Sequence, residues 1–297
     1  MGFFKGHQGR RSYDLLSSYN HFVPGYKDLV GVVVFLIIGT ILGSVITLTF
    51  SASGLIPLKY GILISYPMMF LPAMIFASNV SRRNEVFEDG YAIDNSNFGK
   101  HRWYTMTFVA FMMSIATAFI IEPISMLLPE MPDDLAEQMA ELLNGPAWVT
   151  FISVSIFAPF FEEWLCRGIV LRGLLKKVGA TWAIIISAAF FALIHMNLWQ
   201  AVPAFLMGLV FGYMYYKTGS LKLVMLMHFA NNTMAFAISQ IPALQNAEYF
   251  KDILSPWAYA GVYVLAVVIL ISGLIILRGI PQKDDNLGGC RLIKSLL

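Results

Sequence analysis

Two adjacent carboxylates and an arginine, Glu162, Glu163 and Arg167, interrupt a stretch that is otherwise apolar, with Trp148–Phe157 before them and Gly168–Leu175 after. Each charge held at bilayer depth costs roughly 2.5–3.5 kcal/mol on insertion scales, so such charges are expected to face a wet cavity and to work there. Three further polar signals lie in later apolar segments. His195 closes the run Phe190–Ile194, while His228 and Asn232 stand four residues apart and so share one helix face. Glu163 and Arg167 are also four apart, which suits an ion pair within one helix. Carboxylate, imidazole, imidazole and amide on three separate helices are the types that hydrolysis needs: a base to activate water and donors to hold a developing oxyanion.

Each of these residues also has a blander use. His195 alone reads as an interfacial or packing histidine, and His228 with Asn232 as hydrogen-bond glue between helices. Glu162 and Glu163 could sit in a loop between two short apolar segments. Against that, Ala147–Phe161 is too short to span alone, since about 20 residues are needed. Glu122, near the far end of an apolar run, reads as interfacial rather than catalytic, and Cys166 as a small packing residue. The joint occurrence of the four polar residues favours a site.

The elements that must carry these residues follow from composition. The chain has 297 residues, 58% of them hydrophobic and 13% charged, with a mean hydropathy of +0.68. An ordinary soluble domain is about half apolar and a quarter charged. The expectation is an all-α polytopic membrane protein of about eight transmembrane helices around a polar intramembrane cavity. A net charge of +2 gives no reason to expect a nucleic-acid partner. With two cysteines, Cys166 and Cys290, no disulfide framework is expected. The basic leader runs into an apolar stretch of spanning length, which reads as a retained helix rather than a cleaved signal. Cys290 is not four residues from the end, and Gly6 stands where a myristoylation signal needs Ser or Thr, so neither lipid anchor is expected.

Eight spans are predicted: Leu29–Phe50, Tyr60–Ala77 with kinks at Pro67 and Pro72, Tyr104–Leu128, Ala147–Lys177, Ala180–Asn197, Leu198–Tyr216, Leu221–Gln240 and Trp257–Leu277. This divides the chain into a basic leader (1–28), N-terminal helices (29–146), a core that holds every candidate residue (147–240), and a last helix with a basic tail (241–297). Between the third and fourth spans, Pro129–Pro146 contains five acids and no Lys or Arg. Its Asp133–Leu143 part reads as a short amphipathic helix at the interface. Lys and Arg alternate between loops so that both termini are expected to be cytoplasmic. Gly208-x-x-x-Gly212 is a weak signal for helix dimerisation. Helical rise puts Glu162 about 22 Å from the outer face and His228 about 12 Å from the inner one, yet His195 about 24 Å from the inner one. A tilted fifth helix, a later start to it, or a kink at Pro159 would reconcile these depths, and all three remain open.

Glu162-Glu163-x-x-x-Arg167, Phe191-x-x-x-His195 and His228-x-x-x-Asn232, in that order on apolar segments, resemble the CPBP family. These are the CAAX-protease and bacteriocin-processing (Abi) intramembrane endopeptidases, Rce1-type enzymes among them. The resemblance covers roughly Ala147–Gln240. It implies Glu162 as the general base, His195 helping to hold the attacking water, and His228 with Asn232 as oxyanion donors. Glu163 and Arg167 would form a supporting shell that fixes Glu162, and Phe191 would pack beside His195. The family has been described both as glutamate-dependent and as metalloproteases. Glu162, His195 and His228 could equally be a zinc set, although no His-Glu-x-x-His is present. No cofactor is therefore assigned, with zinc as the alternative. The implied substrate is a membrane-tethered peptide or lipidated protein, either a prenylated CAAX tail or a bacteriocin- or pheromone-like peptide. Short loops and the lack of an accessory domain favour a bacterial plasma membrane. The competing reading is a non-catalytic membrane binder, such as a bacteriocin self-immunity protein.

Overall fold

Long apolar runs separated by Gly, Pro and Ser clusters dictate helices, and the computed structural model, which describes residues 19–143, 145–241, 244 and 249–281, is a bundle of them. In chain order these are α1 (Tyr26–Ala52), α2 (Ile62–Asn84), α3 (Trp103–Ser125), α4 (Asp133–Leu143), α5 (Ala147–Leu174), α6 (Ala180–Leu193), α7 (Leu198–Thr218), α8 (Leu221–Ser239), α9 (Phe250–Ile253) and α10 (Pro256–Arg278). All except α4, α6 and α9 are long and apolar enough to cross a bilayer, which makes seven helices of spanning length. The chain is thus an all-α integral membrane protein. The first eighteen residues of the leader and the tail from residue 282, with Cys290, lie outside the described residues.

The fifth predicted span differs most from the structure. Ala180–Asn197 is not one crossing helix: α6 stops at Leu193 after 14 residues. At 1.5 Å per residue that is about 21 Å, short of the roughly 30 Å hydrocarbon core. The stop has a local cause. Asn197 N-caps α7, its Oδ1 accepting from the Gln200 amide at 2.9 Å. Met196 before it takes a left-handed conformation (φ 57°), which a helix cannot continue through. His195 therefore sits in a tight turn, not on a helix face, and the depth conflict traces to reading that turn as helix.

α5 is continuous but not uniform. Two π-helical stretches, Ile152–Phe157 and Trp164–Leu171, flank an α-helical turn, Ala158–Glu163, that carries the acidic pair. Pro159 has no N–H to give to the Ser155 carbonyl, and the register widens there: the Ala158 amide reaches back to Ser153. Side chains from neighbouring helices use the loosened carbonyls. Asn232 donates to Val154 O at 2.8 Å and Ser187 to Cys166 O at 2.8 Å.

The helix ends define a basic face, which carries both ends of the described chain (Tyr19 and Pro281), and an acidic face opposite. At the basic face β1 (Tyr19–Asn20) pairs antiparallel with β2 (Tyr91–Ala92), a two-residue contact with no alternating pattern to announce it. The segment around it is packed, not loose: Phe22 is fully buried. Tyr91 donates to Phe22 O (2.8 Å), and Tyr215 donates to Ile93 O (2.6 Å). Asp94 accepts from the Leu221 amide (3.0 Å) at the start of α8 and pairs with Lys222 (3.3 Å). At the acidic face Glu122 is buried, where an interfacial side chain was expected. It accepts from the Phe250 and Lys251 amides (2.8 and 3.2 Å), the open N-terminus of α9.

Small residues set the closest helix approaches. Gly208 and Gly212 lie against Ala188 and Ile184 of α6, each a would-be Cβ contact of 3.1 Å, so this Gly face is used within the chain. Gly39 lets α1 meet the backbone of α2, and a Cβ there would overlap the Met69 carbonyl oxygen. Gly39→Leu is therefore expected to destabilise the fold by about 1–3 kcal/mol through overpacking, read as a lowered midpoint in thermal unfolding of the detergent-solubilised protein.

Candidate active site

The acidic pair divides by geometry. Successive residues on a helix project about 100° apart, so Glu162 and Glu163 cannot serve the same partner. Glu163 points inward, is fully buried, and meets Arg167 one turn below, with Nη1 2.9 Å from Oε2 and 3.0 Å from Oε1. Arg167 is itself fully buried and donates from Nη2 to the Gly208 carbonyl at 3.2 Å. Its guanidinium lies over the Phe191 ring at 4.3 Å and near Phe211 at 5.6 Å. A planar, weakly hydrated cation suits two aromatic faces and a carboxylate at once.

The same Glu163 reaches a second partner. His228 Nδ1 lies 2.9 Å from Glu163 Oε1. A carboxylate only accepts, so Nδ1 carries the proton and Nε2 turns the other way, 4.0 Å from Glu162 Oε2. The supporting pair thus orients His228, where it was expected to fix Glu162. Glu162 is held from a different helix: Tyr66 of α2 donates its hydroxyl to Oε1. Phe70, one turn further along α2, stacks on Phe161 at 5.5 Å and locks the register that brings Tyr66 there. Oε2 is buried and has no hydrogen-bond partner among the described residues.

Phe191 joins the remaining members. Its ring stands edge-on to His228 (5.7 Å between centroids) and to His195 (5.1 Å). His195 Nδ1 bonds to the Phe191 carbonyl at 2.8 Å, which leaves Nε2 free to act. Asn232 is one turn from His228 towards the acidic face. One of its amide hydrogens goes to Val154 O, its Oδ1 accepts from Asn231 at 3.1 Å, and a second amide hydrogen remains. The structure gathers Glu162, Glu163, Arg167, Phe191 and His228 into one cluster, with His195 on the far side of Phe191 and Asn232 against the wide turn of α5.

Among the described residues, no three His, Cys, Asp or Glu side chains come close enough together to hold a metal ion. The zinc set Glu162, His195 and His228 is not assembled, because His195 Nδ1 is committed to its own helix end and Phe191 stands between the two imidazoles. Tyr66, Phe211 and the Gly208 carbonyl were not read from sequence as parts of the site. Tyr66 gives little signal, since a tyrosine before a proline in an apolar run usually marks an interface or a kink.

Residues 144–234 match the family described as type II CAAX prenyl endopeptidase Rce1-like. That is the family the three motifs resemble, and the matched stretch holds every residue of the cluster except Tyr66. The family points to a membrane-embedded peptide hydrolase. No curated protein and no solved structure matches the chain.

Removing one member of a buried pair strands the other. Arg167→Met is expected to lower stability by about 3–5 kcal/mol, because Glu163 is left charged and unpaired. Adding Glu163→Gln to Arg167→Met should recover much of that loss in equilibrium unfolding, giving a large coupling in the double-mutant cycle.

Proposed function

Taking the Rce1-like domain at residues 144–234 as the premise, we propose that the chain is an intramembrane endopeptidase in which Glu162 activates the attacking water. The observation that carries this is the gap between Glu162 Oε2, which lacks a partner, and His228 Nε2, 4.0 Å away. One water can bond both atoms at about 2.8 Å each, with an angle near 90° between them. Glu162 takes the proton of that water, and the hydroxide oxygen attacks the scissile carbonyl carbon. The tetrahedral oxyanion accepts a hydrogen bond from His228 at Nε2, while the Nδ1–H of the same ring continues to donate to Glu163 Oε1. The free amide hydrogen of Asn232 is the second donor. Glu162 then returns the proton to the departing amine. His195, through Nε2, holds the water or the substrate from the α6–α7 turn.

The substrate in this reading is a membrane-tethered peptide or lipidated protein, because a base at bilayer depth meets only chains that reach it there. A prenylated carboxyl-terminal tail is the form the family's description names. Lys and Arg at the ends of α2, α5, α7 and α10 support a cytoplasmic placement of the basic face in this reading.

Purified protein in lipid, offered a panel of membrane-tethered peptides with prenylated tails among them, tests the reading. Glu162→Gln is expected to lose about 10²–10⁴-fold in cleavage while keeping its unfolding midpoint, and wild-type cleavage should survive a zinc chelator. Tyr66→Phe should lose about 10–150-fold, the worth of one hydrogen bond to a charged group, with a shifted pH–rate profile as the mark of a positioning residue. A Glu162→Gln protein that cuts as fast as wild type would sink the glutamate mechanism.

A further inference from the structure

Packing around the cluster is lopsided. From Glu162 to Leu175 every residue of α5 and its last turn is buried, and the basic face beyond is closed over them. Phe22, Tyr91 and Ile93 are the closing side chains, fixed by the Tyr91, Tyr215 and Asp94 hydrogen bonds and by the fit of Gly173 against the Phe22 carbonyl. The buried hydroxyls of Ser187 and Thr218 in that half are satisfied by protein, through Cys166 O and Met214 O, while the Trp164 Nε1 and Arg167 Nε hydrogens there go without a partner among the described residues.

On the other side of Glu162 the arrangement changes. Among the described residues of α5 and α8, the buried hydroxyls without any partner are Thr150, Ser155 and Thr233. Thr150 is 5% exposed and Ser155 fully buried, and both lie between Glu162 and the acidic face. An unbonded hydroxyl in an apolar interior costs about 1–3 kcal/mol, a cost that water entering from the near face removes. Asn231, Asn232 and Thr233 on the facing helix are part-exposed, whereas α8 is mostly buried from Leu221 to Ala230. The α6–α7 turn adds an apolar lip beside His195, with Met196 at 77% exposure and Leu193 and Leu198 also exposed. Trp199 donates to Pro129 O at 2.7 Å and ties this lip to the segment that carries exposed Glu130, Asp133, Asp134 and Glu137.

We infer that Glu162 is reached from the acidic face, opposite the ends of the described chain, and that the substrate is an apolar peptide segment with a cationic flank presented on that face. The inference rests on the peptidase reading for its chemistry but not for its geometry. An apolar stretch lies on the lip of Leu193, Met196 and Leu198, its basic flank faces the carboxylates of α4, and the peptide bond enters along the same route as the water. A tail arriving at the basic face meets the closed end of the bundle.

The test is sided thiol labelling of the full chain in proteoliposomes, with orientation assigned by protease protection of a carboxyl-terminal tag and Cys290→Ser as background. A small, charged methanethiosulfonate is applied to each face in turn. Ser155→Cys and, as a second reporter, Thr150→Cys are expected to be labelled from the face opposite the tag and to lose labelling when the reagent is on the tag face. Ile169→Cys, in the closed half, is expected to be protected from both faces. Labelling of the reporters from the tag face, or of neither reporter from either face, overturns the inference, as does labelling of Ile169→Cys from the tag face. The readout needs no turnover and should persist in Glu162→Gln. A protein labelled as described that cuts nothing therefore sinks the peptidase reading alone. In a matched cleavage assay, a Lys-flanked apolar peptide should be cut when anchored on the face opposite the tag and spared when anchored on the tag face.

Discussion

The fully buried pair of Glu163 and Arg167 is the constraint from which the rest of the site follows. Two opposite charges taken out of water need most of their remaining donors and acceptors met, and in this pair the Arg167 Nε hydrogen is the donor left without a partner among the described residues. Glu163 spends its second interaction on His228 Nδ1, and Arg167 spends its own on the Gly208 carbonyl and two aromatic faces. In this way one pair fixes four helices against each other. α5 supplies the charges, α6 the Phe191 ring, α7 the open carbonyl at a glycine where a side chain would be crowded, and α8 the imidazole. The orientation of His228 Nε2 towards Glu162 is a consequence of that packing.

Glu162 is different in kind. It is one residue away from a satisfied carboxylate, yet it keeps a buried oxygen without a partner. Its one hydrogen bond comes from Tyr66, on a helix outside the matched stretch 144–234. The N-terminal helices therefore contribute to the site and do not merely surround it. Membrane charges left half-satisfied are costly, and in the proposed mechanism the unmet oxygen is the one that takes the proton.

Much of this was legible in the chain itself, for stated reasons. Charges inside an apolar run stand out because the bilayer makes them rare, so Glu162, Glu163 and Arg167 mark α5 in the sequence itself. The spacing of four placed His228 and Asn232 on one face because α8 is a regular helix. Where backbone geometry departs from regular, the reading went astray. His195 was given a helical depth although Asn197 is a good N-cap two residues later, a signal outweighed by the unbroken apolar run. The wide turns of α5 have only Pro159 to announce them. The role of Tyr66 depends on a contact between residues 96 apart in sequence, which no local pattern encodes. The antiparallel contact of Tyr19–Asn20 with Tyr91–Ala92 is too short to show any periodicity.

The half-length α6 also acts on the lipid around it. With about 21 Å of helix where neighbouring segments offer about 30 Å or more, the bilayer beside this element is mismatched. Lipids relieve such a deficit by thinning locally, which draws headgroups and their water down towards the end of the short helix. That end is the turn bearing His195. The membrane beside the cluster is thereby expected to be shallower than the membrane elsewhere, which would give a peptide lodged in the bilayer its shortest distance between the hydrocarbon interior and a hydrated boundary.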